Sequence, residues 1–130
     1  MVKVLVAGYG VIGQRLADGV ERQDDMQLVG VVDAQPTLSL LSLKEKGMPY
    51  KLYAAFDEAK KSLEASGYDV SGTLEEILPQ VDIVLDATSP GVGAKNKELY
   101  KKYGKKAVFQ GGEKNDIADV FFHGLSLIHI

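Results

Sequence analysis

Val2-Lys3-Val4-Leu5-Val6-Ala7-Gly8-Tyr9-Gly10-Val11-Ile12-Gly13 is the stretch of sequence that decides the fold of this chain. Its apolar run, Val4–Ala7, is typical of a strand that is covered on both faces of a parallel sheet. The six residues after that run form a G-x-G-x-x-G motif, and Ile12, Leu16 and Val20 then recur at helical spacing. The stretch therefore predicts a buried strand, a glycine turn and the first turns of a helix.

The three glycines of the motif have separate tasks in a dinucleotide-binding turn. Gly8 permits the tight turn, Gly10 lets a pyrophosphate approach the backbone, and Gly13 lets the helix pack closely on the strand. The start of the helix adds unpaired N–H groups and the positive end of a dipole, both of which favour a phosphate. The alternative is a tight βαβ turn without a ligand, because a glycine motif alone is a weak signal.

An acidic residue at the expected distance strengthens the dinucleotide interpretation. Asp33 lies 20 residues beyond Gly13 and closes a second apolar run, Leu28–Val32. A carboxylate at the end of the second strand accepts hydrogen bonds from the adenosine ribose hydroxyls, whereas the additional phosphate of NADP would meet a like charge there. No lysine or arginine follows closely in the sequence to offset that charge. We therefore expect NAD to be preferred over NADP as the cofactor.

The composition is that of an ordinary globular domain. The 130 residues are 45% hydrophobic and 25% charged, and a net charge of −3 gives no reason to expect nucleic acid or an acidic membrane surface as a partner. The absence of cysteine excludes disulfides and thiolate metal sites, and neither His123 nor His129 has a partner at metal-ligand spacing. Because no apolar run approaches the ~18 residues of a membrane helix and no signal peptide is present, we expect a cytoplasmic protein.

Strand and helix signals alternate along the chain. Strands are predicted at 4–7, 28–32, 51–55, 81–87 and 107–109, with a small edge strand at Val70. Helices are predicted at 11–23, 38–45, 58–66 with Asp57 as its cap, 74–79, 92–103 and 115–122. This alternation predicts an α/β fold with a doubly wound, mostly parallel sheet of the Rossmann type. Ligands in such sheets bind outside the carboxyl ends of the strands, so the candidate loops are 8–13, 33–37, 88–93 and 110–114.

Two of these loops have small or glycine-rich residues that suit a flat ligand. Thr88 and Ser89 could hydrogen-bond a ribose or a nicotinamide amide, although either residue could instead serve only as a helix cap. Gly111 and Gly112 follow a buried strand, and paired glycines there indicate close approach of a ligand or of another segment. Glu113 is a lone loop carboxylate, which is more often structural or solvated than catalytic.

Five blocks of the sequence resemble the archaeal-type phosphorylating glyceraldehyde-3-phosphate dehydrogenases, in the same order along the chain. They are G-Y-G-V-I-G-Q-R-L-A-D (8–18), Q-D-D-M-Q-L-V-G-V (23–31), V-D-I-V-L-D-A-T (81–88), G-V-G-A-K-N-K-E-L-Y (91–100) and F-Q-G-G-E-K (109–114). The resemblance covers residues 1–124. It implies a nucleotide-binding domain followed by a catalytic domain, which oxidises an aldehyde through a cysteine thiohemiacetal, passes hydride to a nicotinamide cofactor and releases an acyl phosphate. It also implies a homotetramer for the full enzyme.

The resemblance assigns cofactor-binding roles to individual residues. Those that would hold the pyrophosphate are Gly8, Gly10, Val11, Ile12 and Gly13, and those that would lie near the nicotinamide half are Thr88, Gly111 and Gly112. The sequence departs from the family pattern at Ala7, where asparagine is frequent, and at Asp33-Ala34, where many members place basic or hydroxyl residues. The second departure agrees with a preference for NAD.

A third departure concerns catalysis. The family's S-C-N-T-T-G nucleophile segment does not occur in this sequence, which contains no cysteine. We therefore expect residues 1–124 to be an incomplete NAD(P)-binding domain without the catalytic domain, with no catalytic residue and no dehydrogenase activity of its own. The final hexapeptide L-S-L-I-H-I (125–130) departs from the family and matches the translation of CTG TCT CTT ATA CAC ATC, a common sequencing-library adapter. We expect it to be a non-native tail, and the alternative is a genuine short apolar terminus or strand.

Two other functions stay open at this point. The chain could be the front half of a different two-domain oxidoreductase, such as an aspartate-semialdehyde or homoserine dehydrogenase, because the fold alone does not separate these enzymes. It could also be a nucleotide-sensing module without chemistry. The blocks at 91–96 and 109–114 favour the glyceraldehyde-3-phosphate dehydrogenases over the other oxidoreductases.

Overall fold

The computed structural model describes residues 2–45, 47, 50–88, 92–109, 120–121 and 127–129. Strands and helices alternate through most of this part of the chain, as the sequence pattern predicts. The strands are β1 (Val2–Ala7), β2 (Met26–Asp33), β3 (Lys51–Ala54), β4 (Val70–Thr73), β5 (Ile83–Asp86), β6 (Lys106–Phe109), β7 (Val120–Phe121) and β8 (Leu127–His129). The helices are α1 (Val11–Glu21), α2 (Leu38–Glu45), α3 (Asp57–Ala65), α4 (Leu74–Ile77) and α5 (Val92–Lys102), and a 3-10 turn at Leu78–Gln80 follows α4.

The strands form a single sheet in the order β4-β3-β2-β1-β5-β6-β8-β7. All neighbours from β4 to β6 are parallel, whereas β8 runs antiparallel to both β6 and β7. The chain moves outward from β1 to β4 and then returns to the other side of β1 with β5, so the strand order reverses at β1. The doubly wound, mostly parallel sheet of the Rossmann type is therefore confirmed, and its ligand crevice is expected above β1.

Two apolar layers, one on each face of the sheet, explain the continuous apolar run of β1. Leu5 and Ala7 belong to the layer under α4 and α5, whereas Val6 belongs to the layer under α1, α2 and α3. All residues of Val4–Ala7 are at most 1% exposed. Because full burial of a Val or Leu side chain contributes about 1.5–3 kcal/mol, this strand is a major source of stability and holds the glycine turn in place.

Several element ends agree with the predicted stops, and others do not. Gly67 and Gly104 follow α3 and α5 with φ angles of +89° and +65°, as expected of glycines that end helices. Asp57 is the first residue of α3 rather than its cap, since the capping position belongs to Phe56. An acidic residue in the first turn still interacts favourably with the helix dipole there.

The carboxyl-terminal part differs most from the sequence-based expectation. A helix at 115–122 is wrong for Val120–Phe121, because these residues pair as β7 with Leu127–Ile128 of β8. Leu127–His129 in turn pairs with Ala107–Phe109, within the segment predicted to be a non-native tail. Residues 110–119, 122–126 and 130 lie outside the described residues, and the non-native origin of the tail stays a prediction.

Candidate functional site

The turn after β1 is built so tightly that it requires glycine at two positions. Gly8 has a φ of +88°, and a Cβ added to it would lie 2.8 Å from the backbone carbon of Ala87 and from the backbone nitrogen of Thr88. A Cβ on Gly13 would lie 1.7 Å from the carbonyl oxygen of Gly8. The first glycine therefore lets β1 approach the end of β5, and the last lets α1 pack directly on the turn.

Gly10 differs from these two glycines because the space above it is open. It occupies the capping position of α1, and a Cβ added to it would meet nothing within 4 Å. Val11 and Ile12, which follow in the first turn, expose 66% and 47% of their surface. The backbone around Gly10 is therefore accessible from the side to which the N–H groups of the first helical turn point, as a pyrophosphate requires.

Asp33 connects the end of β2 to the glycine turn. Its Oδ2 accepts a hydrogen bond from the backbone N–H of Tyr9 at 3.0 Å, and its Oδ1 accepts one from the N–H of Ala34 at 2.7 Å. Burial raises the pKa of Asp33 above its usual 3.8, while the backbone N–H groups of Ala34, Tyr9 and Gln35 partly oppose that rise. The structure thus places this carboxylate beside the turn, with its orientation set by main-chain donors.

A second carboxylate, which the sequence analysis missed, lies at the end of β5. Asp86 is 1% exposed and accepts hydrogen bonds from the N–H and the hydroxyl of Thr88 on Oδ1. Its Oδ2 accepts from Tyr100 at 2.6 Å and from the amide of Asn96 at 3.4 Å. Burial, followed by the charge of Asp86, raises the pKa of Tyr100 well above 10.0. The only sequence signal for this cluster is an aspartate that ends a buried strand.

An open cleft of about 350 Å³ at the carboxyl ends of the strands joins these features. This volume lies at the lower end of the range for small-molecule sites, about 300–1,000 Å³. The described residues that line it are Gly8, Gly10, Val32, Asp33, Ala34, Gln35, Thr37, Ala55, Ala87, Thr88 and Asn96. Asp33 stands on the β2 side of the cleft and Thr88 on the β5 side, with the glycine turn between them.

The structure brings together some of the sequence-predicted site residues but not all of them. Gly8, Gly10, Asp33 and Thr88 line the cleft, whereas Gly13 supports the turn from beneath. Val11 and Ile12 belong to the adjoining first turn of α1 and contribute no lining side chain. Ser89, Gly111 and Gly112 lie outside the described residues.

Chemically, the cleft offers carboxylate and hydroxyl oxygens at its sides and main-chain N–H groups in its middle. That arrangement suits an elongated ligand with hydroxyls at one end and an anionic group in its centre.

Within the described ranges, no group of three or more His, Cys, Asp and Glu side chains is placed to hold a metal ion. No helix in the described part of the chain is long and apolar enough to cross a membrane.

Residues 2–120 match the model of a protein family described as dihydrodipicolinate reductase, N-terminus. Several curated proteins named glyceraldehyde-3-phosphate dehydrogenase are also similar. The protein of Pyrococcus abyssi is 53% identical over 121 residues, which cover 93% of this chain and 36% of that protein. The protein of Sulfolobus acidocaldarius is 47% identical, over 95% of this chain and 35% of that protein. The protein of Methanothermobacter thermautotrophicus is 45% identical, over 97% of this chain and 37% of that protein. The chain thus spans about a third of the length of these relatives.

Solved structures show the same fold at low sequence identity. A DOX-P reductoisomerase in complex with magnesium superposes with a TM-score of 0.54 and is 19% identical, over 82% of this chain and 30% of that one. A structure of DOX-P reductoisomerase with fosmidomycin and magnesium superposes with a TM-score of 0.54 and is 18% identical. The match covers 84% of this chain and 30% of that one. At such identities the similarity concerns the fold alone.

Proposed function

Because this chain belongs to the family of dihydrodipicolinate reductase N-terminal domains, we propose that its cleft binds a nicotinamide dinucleotide as the cofactor portion of a glyceraldehyde-3-phosphate dehydrogenase. The family supports the dinucleotide. The activity is inferred from the relatives that are 45–53% identical over nearly the whole chain, all of which have that enzyme's name. The parent enzyme would oxidise and phosphorylate glyceraldehyde 3-phosphate, as a cytoplasmic homotetramer.

The observation that supports the proposal most strongly is the position of Asp33 beside the glycine turn. Its carboxylate lines the same cleft as Gly8 and Gly10 and is held by the N–H of Tyr9. In this arrangement the adenosine ribose lies over β2 and hydrogen-bonds Asp33, while the pyrophosphate lies at Gly10 and the start of α1. The backbone of Val11, Ile12 and Gly13 completes that helix start.

We further propose that NAD is preferred over NADP. The ribose phosphate of NADP would stand close to the Asp33 carboxylate, and none of the described residues that line the cleft is positively charged. At ~4 Å and an effective dielectric of ~20, each pair of like charges costs on the order of 4 kcal/mol. Salt and side-chain movement reduce that cost to about 2 kcal/mol, which still exceeds the ~1.4 kcal/mol that equals a tenfold change in affinity.

Calorimetric titration of the chain with NAD and NADP tests both proposals. We expect NAD to bind at least tenfold more tightly, and an Asp33→Lys variant to narrow or reverse that ratio. Asp25→Lys is the matched control, since it makes the same change of charge at an exposed residue before the opposite end of β2. Absence of binding of either dinucleotide contradicts the cofactor site, whereas equal binding contradicts only the preference for NAD.

The chain on its own is proposed to be inactive. When bound, the nicotinamide accepts a hydride, but the acyl-transfer step of this reaction needs an activated nucleophile. No cysteine is present in the 130 residues. Reduction of NAD by the purified chain that depends on glyceraldehyde 3-phosphate and phosphate, above a protein-free control, contradicts this expectation.

A further inference from the structure

The strand order determines where the second half of the dinucleotide must lie. Asp33 and the adenosine ribose are on the β2 side of β1, and the pyrophosphate lies over the turn after β1. On the other side of β1 the neighbouring strand is β5, and Thr88 follows its carboxyl end and lines the cleft. On the proposed function, the nicotinamide half therefore extends over the end of β5, beside Thr88 and Asn96 of α5.

The buried Asp86 determines the hydrogen-bonding polarity of this side of the cleft. A carboxylate is an acceptor only, so each group bonded to Asp86 must donate. The hydroxyl hydrogen of Thr88 is directed to Oδ1 of Asp86, which leaves the hydroxyl oxygen to the cleft as an acceptor. The amide nitrogen of Asn96 is directed to Oδ2, which turns its carbonyl oxygen away from Asp86.

Tyr100 holds this arrangement in one orientation. Its hydroxyl lies 2.6 Å from Oδ2 of Asp86, and both residues are buried, with exposures of 0% and 1%. Rotation of the Asp86 carboxylate would break the bond from Tyr100 and the bond from the N–H of Thr88 together. The donors to Asp86 in the described part of the chain are all neutral, so the negative charge stays behind the cleft wall.

We propose that Asp86 is a positioning residue that makes the β5 side of the cleft a surface of acceptors, which selects a carboxamide and rejects a carboxylate on the pyridine ring. The NH₂ of a carboxamide donates to the oxygens of Thr88 and Asn96. A carboxylate has no hydrogen to donate, so it leaves those acceptors unpaired and meets the charge of Asp86. Sites that hydrogen-bond one group discriminate strongly against an analogue that lacks the donor, so a tenfold preference is a low bound for this open cleft.

Calorimetric titration of the 130-residue chain with three ligands tests this proposal. The ligands are NAD, nicotinic acid adenine dinucleotide and ADP-ribose, which lacks the pyridine ring. We expect NAD to bind at least tenfold more tightly than the acid analogue. Thr88→Val, which removes the hydroxyl with little change in shape, should reduce this ratio to threefold or less without changing the affinity for ADP-ribose. Thr88→Ser, which keeps a hydroxyl at this position, should retain the affinity ratio of the unaltered chain.

Two further variants separate positioning from a merely structural role. Asp86→Asn should reduce the ratio as Thr88→Val does, and the Thr88 variants alone decide the question if Asp86→Asn does not fold. Tyr103→Phe, directly after α5 and with its hydroxyl bonded to exposed Glu75 rather than to Asp86, should leave the ratio unchanged. Equal affinity of the two dinucleotides in the unaltered chain, or an unchanged ratio in Thr88→Val, overturns this inference and leaves the dinucleotide site intact. Failure of all three ligands to bind overturns the proposed function, and this inference with it.

Discussion

Replacement of Gly13 by alanine should destabilise the chain strongly, because the added methyl group has no space. The Cβ would stand 1.7 Å from the carbonyl oxygen of Gly8, half of the 3.4 Å at which ordinary contact begins, and 2.9 Å from its carbonyl carbon. Both partners are main-chain atoms, so no side-chain rotation relieves the overlap. The helix α1 would have to move away from the turn, and the packing of Ala17 and Val20 would be disturbed with it.

The size of the effect follows from two opposed terms. Overpacking in a core usually costs 1–3 kcal/mol and sometimes more. Because this Cβ clashes with main-chain atoms, we expect a cost above the usual range, about 3–5 kcal/mol. Alanine recovers about 1 kcal/mol, since glycine is that much less favourable within a helix. The net loss of about 2–4 kcal/mol is a large part of the 5–15 kcal/mol that is typical of a domain.

Gly19→Ala in the same helix is the matched control for this experiment. Gly19 is exposed, and a Cβ there would meet nothing within 4 Å, so only the helix-propensity gain of about 0.5–1 kcal/mol remains. Thermal unfolding followed by circular dichroism should show a Tm about 8–16 °C lower for Gly13→Ala, at roughly 4 °C per kcal/mol, and a slightly higher Tm for Gly19→Ala. A Gly13→Ala protein that melts at or above the temperature of the unaltered chain would refute the close packing of helix and turn.

Three other predictions follow from the same cleft. Gly10→Ala should change the free energy of unfolding by no more than about 1 kcal/mol, since a methyl group there meets no other atom of the protein. The same methyl group enters the open space above the turn, so it should weaken NAD binding at least tenfold in calorimetry, and an unchanged affinity would contradict this. Tyr100→Phe removes a donor from buried Asp86 and should lower the free energy of unfolding in urea by about 1–3 kcal/mol. Tyr103→Phe removes only an exposed hydrogen bond to Glu75 and should lower it by about 0.5 kcal/mol or less, and similar losses for the two variants would count against the buried network. Because burial raises the pKa of Asp33 above 3.8, the Asp33 carboxyl holds its proton more tightly in the folded chain than in the unfolded chain. The stability that Asp33 contributes is therefore present at low pH and is lost as the pH rises through the pKa of the folded state. The difference in unfolding free energy between the unaltered chain and Asp33→Asn should therefore fall between pH 4 and pH 7, and a difference that rises over this range would contradict the raised pKa.

Local patterns were sufficient for the architecture and for the middle of the cleft. The apolar run of β1, the spacing of Gly8, Gly10 and Gly13, and the alternation of strands and helices each depend on neighbouring residues only. Since parallel strands end at one edge of a sheet, the same patterns also predicted that Asp33 would lie near the glycine turn. The pattern was not sufficient at Val120–Phe121, because these residues pair with β8, and β8 in turn pairs with β6, which lies much earlier in the chain.

The sequence by itself thus determined the Rossmann-type fold and the position of the cleft, whereas the polarity of the cleft wall was decided by tertiary structure. Asp82 and Asp86 stand four residues apart in V-D-I-V-L-D-A-T, near opposite ends of the predicted strand, and the local pattern does not show which of the two is buried. In the fold, Asp82 is exposed and bonds the N–H of Lys3, whereas Asp86 is buried behind the cleft and accepts from Thr88 and Tyr100. The difference arises because α5, the next element along the chain, packs over the carboxyl end of β5 and places Tyr100 and Asn96 on Asp86. That packing determines which carboxylate is removed from water.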